Sequence, residues 1–262
     1  MSRASEIPGF ERLAMSDGAR PHDVYRSGSG PGVVVIHEMP GLHPGVIEFG
    51  RILVAAGYTV YLPSLFGRVA APATMQETLR SVGRVCVARE FRLLADRTSP
   101  VAAPLRMLAA GAYEECGGRG VGAIGMCFTG GFALAMAVEP SVAAAVLSQP
   151  ALPAPVSRPR RAALGLDAPD LTRVKDRAKD DLRVLGLRFT ADRGCPAERF
   201  QTLRRELGES FESIEIDSSP GNRHGIAQRA HSVLTVDLID EPDHPTRMAR
   251  DRVIAFLDER LH

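Results

Sequence analysis

The chain has no tryptophan, four tyrosines and, in 262 residues, only two lysines, Lys175 and Lys179. All its other basic residues are arginine, which reads as the codon bias of a GC-rich source rather than a functional signal. The 32 basic residues stand against 31 acidic ones, a formal charge of +1. Without a basic stripe interleaved with aromatics, nucleic acid is not an expected partner. The four cysteines, Cys86, Cys116, Cys127 and Cys195, form no Cys-x-x-Cys pair and are too few for a disulfide scaffold at this length. No apolar run reaches the roughly 18 residues that a membrane span needs. Residues 1–8 hold no apolar segment of the kind a secretory leader carries. The cytoplasm is therefore the expected location, and it suits a free reactive thiol. No ligand-spaced cluster of His, Cys and Asp is present. The glycine-rich stretch 117–120 lacks the Lys-Ser/Thr ending of a phosphate loop, so neither a metal nor an organic cofactor is expected.

What is present is enough for a sizeable core: 45% of the residues are hydrophobic, and a single α/β domain spanning 1–262 is ordinary at this size. Residues 1–20 read as a loosely ordered leader to that domain, with one short strand at 23–26. The β-branched run 32–36 suits a strand buried on both faces. Helical spacing follows over 47–57, then a strand over 58–62 that Pro63 closes. Residues 74–112 read as helical with a break at Ser99-Pro100. Further strands are expected up to residue 126 and over 142–148, 182–189 and 211–216. Helices are expected over 169–178, 196–207 and 250–261, the last starting from Pro245. Residues 150–181 are rich in Pro, Arg and Asp and read as an excursion within the domain. Strands alternating with helices predict a doubly wound, mostly parallel sheet with helices on both faces.

The most informative segment is Gly125-Met126-Cys127-Phe128-Thr129-Gly130-Gly131. An apolar, glycine-containing stretch precedes it and a small-residue helical pattern follows. That is strand, sharp turn and helix with a cysteine at the apex, the arrangement of a nucleophile elbow with Cys in place of Ser. A cysteine beside glycines is ordinarily a small buried residue. The strand–turn–helix context points instead to a thiol aimed at a substrate, over a helix N-terminus that favours the anion.

A thiol nucleophile needs a base and a carboxylate to orient that base. With chain order nucleophile, acid, histidine, the acid is Asp192, just past a strong strand where such sheets place functional loops. Two histidines can close the triad. His224, in Pro220-Gly221-Asn222-Arg223-His224-Gly225, lies 32 residues after the acid, and His231, in Ala230-His231-Ser232, lies 39 after it. Glu38 directly follows the first core strand. His37 and His43 read as structural, and His22, His244 and His262 as surface positions.

In these residues the chain resembles the dienelactone hydrolase family of α/β-hydrolases, from about residue 20 to the C-terminus. Val33-Val34-Val35-Ile36-His37-Glu38 is similar to the family's strand ending in glutamate. Pro63-Ser64-Leu65-Phe66-Gly67-Arg68 is similar to its Pro-Asp-Leu-Tyr-x-Arg segment. Gly125-x-Cys127 matches the nucleophile, and Asp192 followed by Pro196 the acid loop. The resemblance implies an ester or lactone hydrolase acting on a small molecule through a Cys127–His–Asp192 triad. It further implies that Glu38 contacts the resting thiol and that the Phe128 and Met39 N–H groups form an oxyanion hole. Both histidines fit family patterns. His231 is preferred for its distance to the closing helix, which would leave 222–229 as an insertion at the pocket mouth with His224 on its rim. Two departures stand out. Thr129 replaces the usual glycine two after the nucleophile. The family's substrate-carboxylate arginine, four after the histidine, is Gln228 or Thr235 here. The rival expectation is a non-catalytic hydrolase-like scaffold whose Cys127 binds or senses electrophiles.

Overall fold

A computed structural model of the chain describes residues 6–16, 21–87, 97–152 and 157–262. Its spine is one eight-stranded sheet. An N-terminal hairpin, β1 (Glu11–Ser16) and β2 (Pro21–Ser27), leads to β3 (Gly32–Ile36). Helix α1 (Pro44–Ala55) joins it to β4 (Thr59–Ser64), and α2 (Met75–Val87) and α3 (Ala102–Cys116) lead to β5 (Val121–Met126). A 3₁₀ turn at Cys127–Thr129 runs into α4 (Gly130–Met136), then β6 (Val142–Ser148). The excursion carries α5 (Arg158–Ala162) and α6 (Ala168–Asp180). The chain then alternates β7 (Arg183–Phe189), α7 (Ala197–Leu207) and β8 (Phe211–Ile216), and closes with α8 (Pro245–Leu261). The strand order is β1-β2-β4-β3-β5-β6-β7-β8. β1, β2 and β4 pair antiparallel, and every pair from β4–β3 to β7–β8 is parallel.

The continuous apolar runs explain this arrangement. Every residue of β3, β5 and β6 is buried, which a strand tolerates only when helices cover both faces. Alternate side chains go to opposite layers. Val34, Ile36 and Ala123 join Leu105, Phe132 and Phe200 on one face. Val33, Val35 and Ile124 join Phe49, Leu53 and Phe256 on the other. The expected doubly wound, mostly parallel α/β sheet is the observed one.

The hairpin departs from expectation. Residues 11–16 form an edge strand where the sequence reads as a loosely ordered leader, because half of β1 is polar and the strand gains its order from pairing with β2. Arg12 Nε meets Asp23 2.8 Å across that pair. The expected helix over 74–112 is two helices, and its middle, 88–96, lies outside the described residues, as do 1–5, 17–20 and 153–156. No helix among the described residues is long and apolar enough to cross a membrane.

Glycines inside strands set how closely neighbours pack. A β-carbon on Gly186, in β7, would lie 2.7 Å from Phe211 Cζ and 3.0 Å from Phe200 Cε1. Neither ring can retreat, since both are buried and stack edge to face at 5.6 Å. Gly186→Ala therefore overpacks this layer and is expected to cost about 1–3 kcal/mol. A thermal melt checks this; an unchanged midpoint would mean that the two rings have room to yield.

Candidate active site

Because β3, β5, β6, β7 and β8 run parallel, the loops after their C-terminal ends meet along one edge of the sheet. Cys127 stands at the end of β5 with φ +56°, a left-handed backbone held by a residue with a β-carbon. Such a conformation costs of order 1–3 kcal/mol and persists only where the surroundings fix it. Three neighbours do so. A β-carbon on Gly125 would sit 2.2 Å from the Thr129 carbonyl oxygen. One on Gly130 would sit 2.7 Å from Pro150 Cβ. Thr129, in the position where the family usually has glycine, is fully buried. Its hydroxyl accepts from the Met126 N–H at 2.9 Å and lies 2.7 Å from the Met126 carbonyl and 3.1 Å from that of Ile36. Thr129 thus ties the elbow to the end of β3, and the close approach falls on Gly125 and Gly130.

Asp192 is buried in the turn after β7. Its Oδ1 accepts from the Gly194 N–H at 2.8 Å, and its Oδ2 lies 2.7 Å from His231 Nδ1. The side chain of His231 is 29% exposed and lies within electrostatic reach of the Cys127 thiol. Burial opposes its protonation, but the hydrogen bond to Asp192, the interaction with Cys127 and the charges of both outweigh that and push its pKa up to about 11. The loop carrying His231 is fixed in turn: Asp237 Oδ2 accepts the backbone N–H groups of both His231 and Ser232 at 2.8 Å. Cys195, three residues past Asp192, is fully buried, and burial pushes its thiol up to about 12.

The structure places His224 elsewhere. Its Nε2 accepts from Arg223 Nε at 2.7 Å, and its ring meets that of His244, the N-cap of α8, at 5.5 Å. It lines a groove between β8 and α8 with Ile214 and Met248, not the rim above the thiol. The turn around it is self-contained: Asn222 Oδ1 accepts from the His224 and Ile226 N–H groups. The local Pro-Gly-x-x-His spacing therefore describes a capped surface turn.

Glu38 also departs from expectation. Its carboxylate, 2% exposed, takes hydrogen bonds from His43 Nε2 at 3.4 Å, Gln149 Nε2 at 3.1 Å, Ser232 Oγ at 2.7 Å and Thr235 Oγ1. The expected contact with the resting thiol is replaced by these four donors, which saturate both oxygens. Burial opposes the charge, but the hydrogen bonds from His43, Thr235 and Ser232 outweigh it and hold the carboxyl below the usual range. The Gly45 N–H donates to His43 Nδ1 at 3.2 Å, so the ring proton sits on Nε2 and points at Glu38. His37 is structural too: Nε2 accepts from the Leu65 N–H at 3.1 Å, and burial pushes its pKa down to about 4.

The resemblance assigns the oxyanion to the N–H groups of Phe128 and Met39. Phe128 is the second residue of the 3₁₀ turn Cys127–Thr129, and the first N–H groups of a helix have no intrahelical acceptor. Met39 follows Glu38 and packs, half-buried, against the same apolar cluster as Cys127.

Sequence reasoning missed the residues that hold this edge together. Arg199, on the buried face of α7, is 2% exposed and donates to the carbonyls of Pro150 and Ala163 at 2.7 Å and Arg160 at 3.1 Å. Arg188, in β7, donates to the carbonyls of Thr190 at 3.0 Å and Cys195 at 2.9 Å. Together they fix the excursion and the Asp192 loop. The available signal was an arginine inside each apolar pattern, beside Phe200 and Leu203 in one case and Leu187 and Phe189 in the other.

Comparison with known proteins agrees with this architecture. The family model of the dienelactone hydrolase family matches residues 19–261. A putative dienelactone hydrolase from Klebsiella pneumoniae subsp. pneumoniae superposes with TM-score 0.63 at 18% identity, over 95% of this chain and 98% of that one. A dienelactone hydrolase-like promiscuous phosphotriesterase from metagenomic libraries gives 0.60 at 19%, over 97% and 98%. A cold-adapted esterase from an Arctic intertidal metagenomic library gives 0.61 at 13%, over 100% and 99%. No curated protein sequence matches the chain significantly. At these identities the solved structures establish the fold, and the family model, which spans nearly the whole length, establishes more: the chain belongs to the dienelactone hydrolase family.

Proposed function

We propose that this single-domain protein hydrolyses a carboxylic ester or lactone of a small molecule through Cys127, His231 and Asp192. The observation that carries the reading is the chain of contacts from the strained elbow through a half-buried imidazole to a buried carboxylate, with 2.7 Å between His231 Nδ1 and Asp192 Oδ2. The names of the esterase and phosphotriesterase with this fold accord with ester-bond chemistry.

In this reading Asp192 fixes the ring so that Nε2 faces the sulfur. The imidazolium favours the thiolate beside it. Sγ attacks the substrate carbonyl, and the Phe128 and Met39 N–H groups hold the developing oxyanion. His231 returns its proton to the leaving alkoxide, which departs as an alcohol. His231 then takes a proton from water as the water attacks the thioester, and the acid leaves with Cys127 restored.

Cys127→Ala is expected to abolish ester turnover while shifting the thermal midpoint little, because the side chain at the apex of the turn is only half-buried. Activated-ester kinetics on the parent protein separate the two readings of the thiol. Steady hydrolysis after any burst supports the hydrolase. One stoichiometric burst without turnover would assign Cys127 to binding or sensing electrophiles.

The direction of the His231 shift sets a pH prediction. A pKa raised to about 11 keeps the imidazolium through the neutral range, and the charge is lost only as the pH climbs toward that value. His231→Asn removes the cation beside the sulfur. Alkylation of Cys127 by iodoacetamide should become slower and more steeply dependent on pH, dropping more than about tenfold between pH 9 and pH 7 as for an ordinary thiol. Mass-spectrometric labelling rates measure this, with buried Cys195 as the slow internal reference. Equal rates in parent and variant at pH 7 would remove His231 from the site.

A further inference from the structure

Gln149 is the residue at this edge that neither the triad nor the oxyanion hole uses. It directly follows β6, is fully buried, and holds a left-handed backbone at φ +37° despite its β-carbon. A buried glutamine in that conformation persists only where its surroundings fix it, and its hydrogen bonds show what does so. Its N–H donates to the Leu187 carbonyl of β7 at 2.7 Å. Its Nε2 donates to Glu38 Oε2 at 3.1 Å. Its Oε1 accepts from the Val233 N–H at 3.3 Å and from the Ser148 hydroxyl. Two residues on, the Ala151 N–H donates to the Cys127 carbonyl at 2.9 Å. One side chain therefore reaches the end of β3 and the loop that carries His231, from a strand end bonded to the elbow.

Glu38 completes the connection. The oxygen that accepts from Gln149 also accepts from Ser232, the residue after His231, and its other oxygen accepts from Thr235. The loop at 231–235 is thus gripped on its inner side by Gln149 and Glu38 at Ser232, Val233 and Thr235, and on its backbone by Asp237. None of these groups touches the sulfur or a substrate carbonyl. Their common effect is to fix where the His231 ring stands.

We propose that Gln149 and Glu38 are positioning residues that hold the His231 loop in register with the Cys127 elbow. In this chain Glu38 is a fixed anchor of the histidine loop rather than a mobile partner of the thiol. The inference rests on the triad reading given above.

The test is Gln149→Met, which keeps the length of the side chain and removes its donor and acceptor. The readout is the pH profile of Cys127 alkylation by iodoacetamide, set beside the profiles of the parent and of His231→Asn. The titratable groups around His231 are Cys127, Asp192 across the ring, Asp237 on its own loop, and Glu38 with His43 behind it. Gln149→Met takes one donor from Glu38 and the acceptor from the Val233 N–H, and it changes none of these titratable groups itself. The profile is expected to move toward that of His231→Asn. On an activated ester, kcat should fall roughly 10–100-fold, the penalty for a misplaced catalytic group, with KM changed less than about threefold. An unmoved alkylation profile in folded Gln149→Met overturns the proposal. If Gln149→Met does not accumulate as folded protein, Ser232→Ala, which deletes only the hydroxyl bonded to Glu38, is read in the same way, and an unmoved profile again overturns it. Failure of the triad reading looks different: His231→Asn itself would leave the profile of the parent unchanged, or Cys127→Ala would keep turning over ester.

Discussion

The candidate site depends on a residue with a β-carbon held in left-handed backbone at the end of the central strand. At φ +56°, Cys127 cannot continue β5, and the chain must turn at once into the 3₁₀ turn and α4. That turn puts Cys127 at the apex between the sheet and α4. The strain is offset locally by a pair of glycines, where a β-carbon would meet backbone or proline atoms, and by a buried threonine hydroxyl that serves both β5 and β3. The neighbouring strand end repeats the device: Gln149 is also left-handed, and the residue two beyond it donates to the Cys127 carbonyl. Two strained strand ends side by side form a rigid ledge, and the other loops are docked to it.

Docking that edge requires two carboxylates with different duties. Asp192 faces a ring that carries positive charge, so the pair is compensated. Glu38 is more deeply buried, and among the described residues its partners include no arginine or lysine. A buried carboxylate without a cation is tolerated only when it accepts several hydrogen bonds. Glu38 has four donors from three segments of chain. Releasing it would strand a charge and leave buried polar groups such as Gln149 Nε2 unpaired. The same energetics that permit this anion oppose its movement, which favours an anchor over a switch.

The fold was legible because its signals are redundant. The runs 32–36, 121–126 and 142–148 are apolar at nearly every position, and only a covered parallel strand uses such a pattern. Cys127 and Asp192 were legible because each follows such a strand directly. The histidine was harder to read, since fourteen residues lie between the end of β8 at Ile216 and His231 and no periodicity spans them. His224 shares a local motif with the family, but Asn222 and Arg223 use that motif to build a surface turn. Of the clamp, Glu38 was legible as a residue at the end of the first core strand, but Gln149 was not. Gln149 is one polar residue after an alanine-rich strand, and its three partners are 84 to 111 positions away or come from the preceding residue. Strand β1 was missed for a related reason: a short edge strand with only Leu13 and Met15 packed on the core takes its order from the neighbour it pairs with, not from its own pattern.

Thr235 connects this network to the question of substrate. The resemblance to the family implies an arginine four residues after the histidine that holds a substrate carboxylate. In this chain that position is a threonine whose hydroxyl points inward onto Glu38. A carboxylate on the substrate would therefore find no charged partner at this position, and Glu38 takes the Thr235 hydroxyl among its donors, beside Gln149 and Ser232. The apolar side of the site is set by Phe66 and Phe128, whose rings lie 5.2 Å apart in the cluster against which Cys127 packs.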